Sequence, residues 1–120
     1  MSGAAPFAYA GLDRVFHERA RLGIVTSLAG HADGLGFSEL KTLCGLTDGN
    51  LARHLQVLEE AGFVTQAKDQ DGRRAITRCR LTAMGRTRFA DYLAALEAVL
   101  QQARAHEAAA DNAASKTRPA

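Results

Sequence analysis

The stretch "TDGNLARHLQVLEEAGFV", residues 47–64, combines a helix start, an apolar stripe and a helix stop. Thr47 is a residue type that caps a helix through its side-chain oxygen. Leu51, Leu55 and Leu58 follow at i, i+4 and i+7, the spacing of one buried face. Gly62 closes the segment, with Phe63 as the apolar contact beyond the stop. Advancing about 100° per residue from Leu51 puts Gly49, Arg53, Gln56 and Glu60 on the opposite side, with Asn50 and Val57 flanking. That outer side is ordered along its length: Asn50 and Arg53 lie toward the start, Glu59 and Glu60 at the far end. Asp48 suits a first turn, where a negative charge meets the positive end of the helix dipole.

Upstream, "FSELKTLCGL" (residues 37–46) reads as a shorter helix. Ser38 is its expected N-cap, Leu40 and Leu43 its inner face, Gly45 a left-handed stop and Leu46 an apolar residue folding back. Two helices separated only by residues 44–47 form a helix-turn-helix. The "GHADGLG" before them (residues 30–36) is a loop by its glycine content. From Leu12 to Ala29 apolar residues recur at helical spacing, predicting one helix, open to a break near His17.

Downstream the period changes. "FVTQAKDQDGRRAITRCRL" (residues 63–81) has β-branched residues at both ends and a polar centre with Asp71-Gly72, a pair suited to a hairpin turn. On the return arm Thr77, Cys79 and Leu81 share one side, Ile76, Arg78 and Arg80 the other. "LTAMGR" (residues 81–86) restarts a helix with Thr82 as cap and Gly85 as a small residue for close packing. Phe89, Leu93, Leu96, Leu100 and Ala103 then continue in steps of four and three, a stripe long for one small body to cover. The expected organisation is a flexible arm over 1–11, one domain over 12–103, and an Ala-rich tail over 104–120 without large apolar residues, expected to be disordered.

At 120 residues the chain fits a single domain with a modest core, and its formal charge of +2 does not by itself announce a polyanionic partner. The distribution does. Lys68, Arg73, Arg74, Arg78, Arg80, Arg86 and Arg88 fall between residues 66 and 88, against Asp69 and Asp71, so nearly half of the 15 cations occupy under a fifth of the chain. Cys44 and Cys79 stand far apart, fitting a reduced intracellular protein rather than a disulfide framework. The start has no signal-peptide pattern and no segment reaches the roughly 18 apolar residues of a membrane span, so the expected setting is cytoplasmic.

The order helix, helix, helix, hairpin, helix, mainly α with a small β-hairpin, is the layout of a winged helix-turn-helix. "FSELKTLCGLTDGNLARHLQVLEEAGFV" followed by "GRRAITRCRLTAMGR" resembles the winged-helix regulators of the MarR and ArsR families, over roughly residues 12–100. The resemblance implies a bacterial DNA-binding transcriptional regulator. It puts Arg73 and Arg74 at a wing tip entering or flanking the minor groove, and sets an "RH" pair, Arg53-His54, near the phosphates. The polarity of residues 47–61 agrees, since a recognition helix enters the major groove by its N-terminal residues.

The residues expected at duplex DNA are therefore Thr47, Asn50, Arg53, His54, Arg73, Arg74 and Arg78. A homodimer is expected through Leu12, Phe16, Phe89, Leu93, Leu96 and Leu100, because the last stripe outruns the body. No nucleophile elbow, phosphate loop or paired His motif points to catalysis, and no cofactor or metal site is expected. An unknown small-molecule or protein effector, and redox sensing at Cys44 or Cys79, stay open. So does a different function, in which the long helix docks a regulatory protein and DNA is bound weakly or not at all.

Overall fold

The computed structural model describes residues 5–117. In chain order the elements are α1 (Arg19–Ala29), β1 (Leu35–Gly36), α2 (Phe37–Cys44), α3 (Asp48–Glu60), β2 (Val64–Asp71), β3 (Arg74–Leu81) and α4 (Ala83–Thr117). The strands form one antiparallel sheet in the order β1-β3-β2. Three helices, a hairpin with a short third strand, and a long last helix make the expected winged helix.

Leu51, Leu55 and Leu58 of α3 are fully buried, beside Ile24, Val25 and Leu28 of α1 and Leu40 of α2. The hairpin closes this core with Val64, Cys79 and Leu81. Phe16 stacks on Phe63 with centroids 4.9 Å apart, and packs edge-on against Phe89 and Tyr92 of α4. At the end of α2, Gly45 takes the left-handed conformation at φ 64°. Gly85 lies so close to the hairpin root that a Cβ there would sit 2.2 Å from the Phe63 carbonyl oxygen. Thr82 knits the same junction: its hydroxyl donates to the Gly62 carbonyl and accepts from the Gly85 N–H.

Several expectations are corrected. The first helix begins at Arg19, not Leu12, because extended Glu18 caps it, its carboxylate accepting from the N–H groups of Ala20 and Arg21. Residues 12–18 are not helical but irregular around a turn at 14–16, built on Asp13, whose carboxylate accepts from the Val15 N–H and whose carbonyl accepts from the Phe16 N–H. The N-cap of α2 is Gly36 rather than Ser38, and the Glu39 carboxylate reaches back to the Gly36 N–H at 3.1 Å. Leu43 is not inner; it is 61% exposed, on a groove between α1 and the α2–α3 turn.

Within the expected loop, Leu35 and Gly36 pair with Cys79 and Arg78 as a third strand. The hairpin turn sits one residue later than expected, at Gly72-Arg73 between paired Asp71 and Arg74.

The tail is also different: α4 continues through Thr117, so residues 104–117 are helical. Alanine favours helix intrinsically, and the N-terminal arm braces the extension. The Tyr9 hydroxyl donates to the Gln102 side-chain carbonyl, the Gln102 amide donates to the Pro6 carbonyl at 3.4 Å, and Phe7 meets His106 edge-on. Residues 5–11 thus lie along α4. Residues 1–4 and 118–120 of the expected arm and tail lie outside the described residues.

Candidate nucleic-acid interface

Helix α3 exists because Thr47 caps it: the Thr47 hydroxyl accepts from the Asn50 N–H at 3.2 Å while the leucine stripe anchors the opposite side. Asn50 and Arg53 are exposed next to this cap, and an Arg53 guanidinium N–H donates to the Asn50 side-chain oxygen at 3.3 Å. Asp48 is drawn aside by Lys41 of α2 at 3.0 Å, which neutralises the one carboxylate in the first turn. At the other end Glu60 accepts from Gln56, and Glu59 accepts from Gln66 of β2 at 3.2 Å. The outer side of α3 therefore runs from an amide and a guanidinium to two carboxylates tied down by neutral amides. A polyanion would meet the first end favourably and the second end unfavourably.

His54 points inward instead. Half-buried, it places Nδ1 3.3 Å from the guanidinium of Arg21 in α1 and 3.4 Å from the carboxylate of Glu18, the residue that caps α1. Arg21 is itself held by the Val15 carbonyl at 2.7 Å. Glu18 lies below the usual carboxylate range, chiefly because the Ala20 N–H donates to it, aided by Arg21 and His54. His54 thus joins α3 to α1, which is the opposite orientation to a phosphate contact.

On the hairpin, pairing fixes which arginines face where. Arg78 and Arg80 alternate with buried Cys79 and Leu81 and so share the solvent side. Arg78 Nε donates to Asp69 at 2.6 Å across the ladder. That bond holds the Asp69 carboxyl low and raises Arg78. Arg80 donates to the Asp33 carbonyl at 2.9 Å, and Arg86 to the Ala29 carbonyl at 3.3 Å. Arg73 and Arg74 stand exposed at the tip, with no side-chain hydrogen bond or ion pair among the described residues.

The residues expected at a dimer divide. Phe16 and Phe89 are inside this chain's own core, 0% and 5% exposed, and cannot also meet a partner. Leu12 and Leu96 are half-buried against that core, while Leu93 and Leu100 are 46% and 47% exposed on α4. Sequence reading missed Asp69 as the partner of Arg78, Lys41 as the partner of Asp48, and the Glu18–Arg21 pair under His54. The first was detectable, because a two-residue turn sets 69 and 78 diagonal on one side of the ladder; the other two depend on helix packing.

The two cysteines lie apart. Cys79 is fully buried and its thiol is pushed up to about 11 by that burial. Cys44 is half-buried in the α1–turn groove with its sulfur 3.7 Å from the Ser27 hydroxyl. Among the described residues no cluster of three His, Cys, Asp or Glu side chains is placed to hold a metal ion, and no helix is long and apolar enough to cross a membrane.

A capped helix with an open outer side, joined to a hairpin with a cationic tip, defines the molecule as a winged helix-turn-helix. The chain belongs to the winged helix DNA-binding domain family, whose pattern matches residues 20–100. An uncharacterised protein of Methanocaldococcus jannaschii is 38% identical over 80 residues, 67% of this chain and 86% of that protein. A transcriptional regulator homologue from Pyrococcus horikoshii has a similar solved structure, with a TM-score of 0.69 and 30% identity, covering 75% of this chain and 88% of the other. A MarR-family transcriptional regulator from Silicibacter pomeroyi shares the fold at 21% identity and a TM-score of 0.51, over 93% of this chain and 83% of its own.

Proposed function

We propose that this chain is a sequence-specific, non-catalytic transcriptional regulator that binds duplex DNA in the cytoplasm. Helix α3 enters the major groove by its first two turns, and the tip of the β2–β3 hairpin reaches the adjacent minor groove. The observation that carries this reading is the charge gradient along the outer side of α3. Asn50 and Arg53 lie open beside the cap, while Glu59 and Glu60 are held at the far end. Asn and Arg are the side chains that hydrogen-bond adenine and guanine edges in pairs. Arg73 and Arg74 suit a minor groove because a guanidinium loses less on desolvation than an ammonium.

In the same reading the active species is a homodimer paired through α4, since Leu93 and Leu100 leave large apolar surface exposed. Two α3 helices would then address half-sites roughly 34–36 Å apart on a partly palindromic promoter element. Occupancy hinders polymerase, and a small-molecule or protein effector would act at the dimer interface or beneath the wing.

The test is binding of genomic upstream fragments across a salt series. Specific complexes that weaken linearly in the logarithm of salt are expected. Arg53→Ala should lower affinity for the selected site by about 1–3 kcal/mol and relax base preference at one position. Sedimentation at micromolar concentration should show a dimer. A wild-type protein that retains no fragment would remove the DNA reading, and a monomer would remove the twofold arrangement.

A further inference from the structure

Three glycines among the described residues would meet nothing within 4 Å if each carried a Cβ: Gly45, Gly49 and Gly72. Gly45 and Gly72 have their own reason, φ angles of 64° and 65° that other residues adopt only with strain. Gly49 has neither that reason nor a steric one. Its φ is not in the left-handed region, and it lies in the first turn of α3, exposed to solvent. Gly85, the other glycine inside a helix toward the hairpin, is explained from within by the Phe63 carbonyl. At position 49 alanine and most other residues would favour the helix at least as well as glycine does, so the glycine there brings no gain among the chain's own atoms.

What lies beside Gly49 supplies the reason. It precedes Asn50 and sits one turn before Arg53, on the end of α3 whose carboxylate, Asp48, is already taken by Lys41. We propose that Gly49 is where the duplex comes closest to the α3 backbone. The missing side chain leaves room for the groove wall, so that Asn50 and Arg53 reach base edges at hydrogen-bonding distance. The inference rests on the DNA-binding reading above and deepens it: Gly49 acts as a positioning residue through the space it leaves empty. A Cβ there would hold the helix off the duplex and lengthen every contact made by its neighbours, and hydrogen bonds weaken steeply with such displacement.

The opposite signs of two measurements test it. With the full-length protein and a fragment selected by wild type, Gly49→Ala should bind about tenfold or more weakly, and Gly49→Leu more weakly still. The melting midpoint of Gly49→Ala should stay level or rise by a few degrees, as expected when alanine replaces an exposed helical glycine. A Gly49→Ala protein that binds within about threefold of wild type overturns the proposal. So does a weakened binder whose melting midpoint falls by about 5 °C or more, because the glycine would then serve the fold. The wild-type arm is read first: failure there removes the DNA reading itself, whereas wild-type binding with an indifferent Gly49→Ala removes only the role of Gly49.

Discussion

At the tip of the hairpin Arg73 and Arg74 stand exposed without a side-chain partner among the described residues, whereas at its root Arg78 closes on Asp69 at 2.6 Å and Arg80 on the Asp33 carbonyl at 2.9 Å. All four are arginines within eight positions of one another, and a count of charge along the chain treats them alike. Register separates them. Each residue of a ladder faces one side and meets fixed diagonal neighbours, so Arg78 finds Asp69 across the hairpin, Arg80 reaches the Asp33 carbonyl just before β1, and those at the turn find no acceptor. The cationic surface open to a polyanion is therefore smaller than the run of seven basic residues implies. It comprises Arg73 and Arg74 at the tip, where a ligand can reach them without breaking an existing bond, together with exposed Lys68 on β2 and Arg88 on α4.

The largest expected effect follows directly. Replacing both Arg73 and Arg74 by alanine should weaken binding to all DNA sequences by about 10–100-fold near 0.1 M salt, and lower the slope of log affinity against log salt by about two. Arg78→Ala should weaken it by less than about threefold, because its charge is already compensated. Fluorescence anisotropy titrations over a salt series measure both quantities. Equal losses for the two variants would show that the ion pair with Asp69 does not keep Arg78 from the duplex.

A smaller effect of opposite sign is expected at Asp69. Asp69→Ala removes the acceptor that neutralises Arg78 and leaves a free guanidinium on the solvent side of the wing. DNA affinity should rise by about threefold, with a salt slope steeper by up to about one. No change would mean that the root of the wing stays clear of the duplex even when its charge is released.

The same division between local and distant partners explains what the sequence disclosed. Helix α3, its Thr47 cap, the Gly45 stop and the hairpin were legible because their signals lie within a few residues of the structure they cause. The start of α1 was not: Leu12, Val15 and Phe16 keep helical spacing yet pack from turns, and the Glu18 carboxylate, no usual capping signal, ends them. Strand β1 has only two residues and owes its existence to Cys79 and Arg78, more than forty positions on. In the site, exposure of Asn50, Arg53, Arg73 and Arg74 followed from period and turn, while the inward turn of His54 came from the packing of α3 on α1. The helical tail is not legible, because its low hydrophobicity points to disorder while alanine's helix preference and the arm's distant support at Gln102 decide the outcome.

The smallest effect concerns acid. Arg78 holds the Asp69 carboxyl below its ordinary value of 3.8, so the folded state keeps this group ionised to lower pH than the unfolded chain does. A depressed folded value means that the stability from the pair is fully present above the ordinary value and is lost as pH falls through the lowered one. The pair is open to water, where such bonds contribute little. The melting-midpoint difference between wild type and Asp69→Asn should therefore be small, constant from pH 7 down to about 5, and shrinking only below the ordinary carboxylate value. DNA binding tells the same story from the other side, because protonating Asp69 frees Arg78 as Asp69→Ala does. A midpoint difference that collapsed near neutral pH would mean that a histidine, not this pair, governs the wing's root, and the contrast between root and tip would then need a different cause.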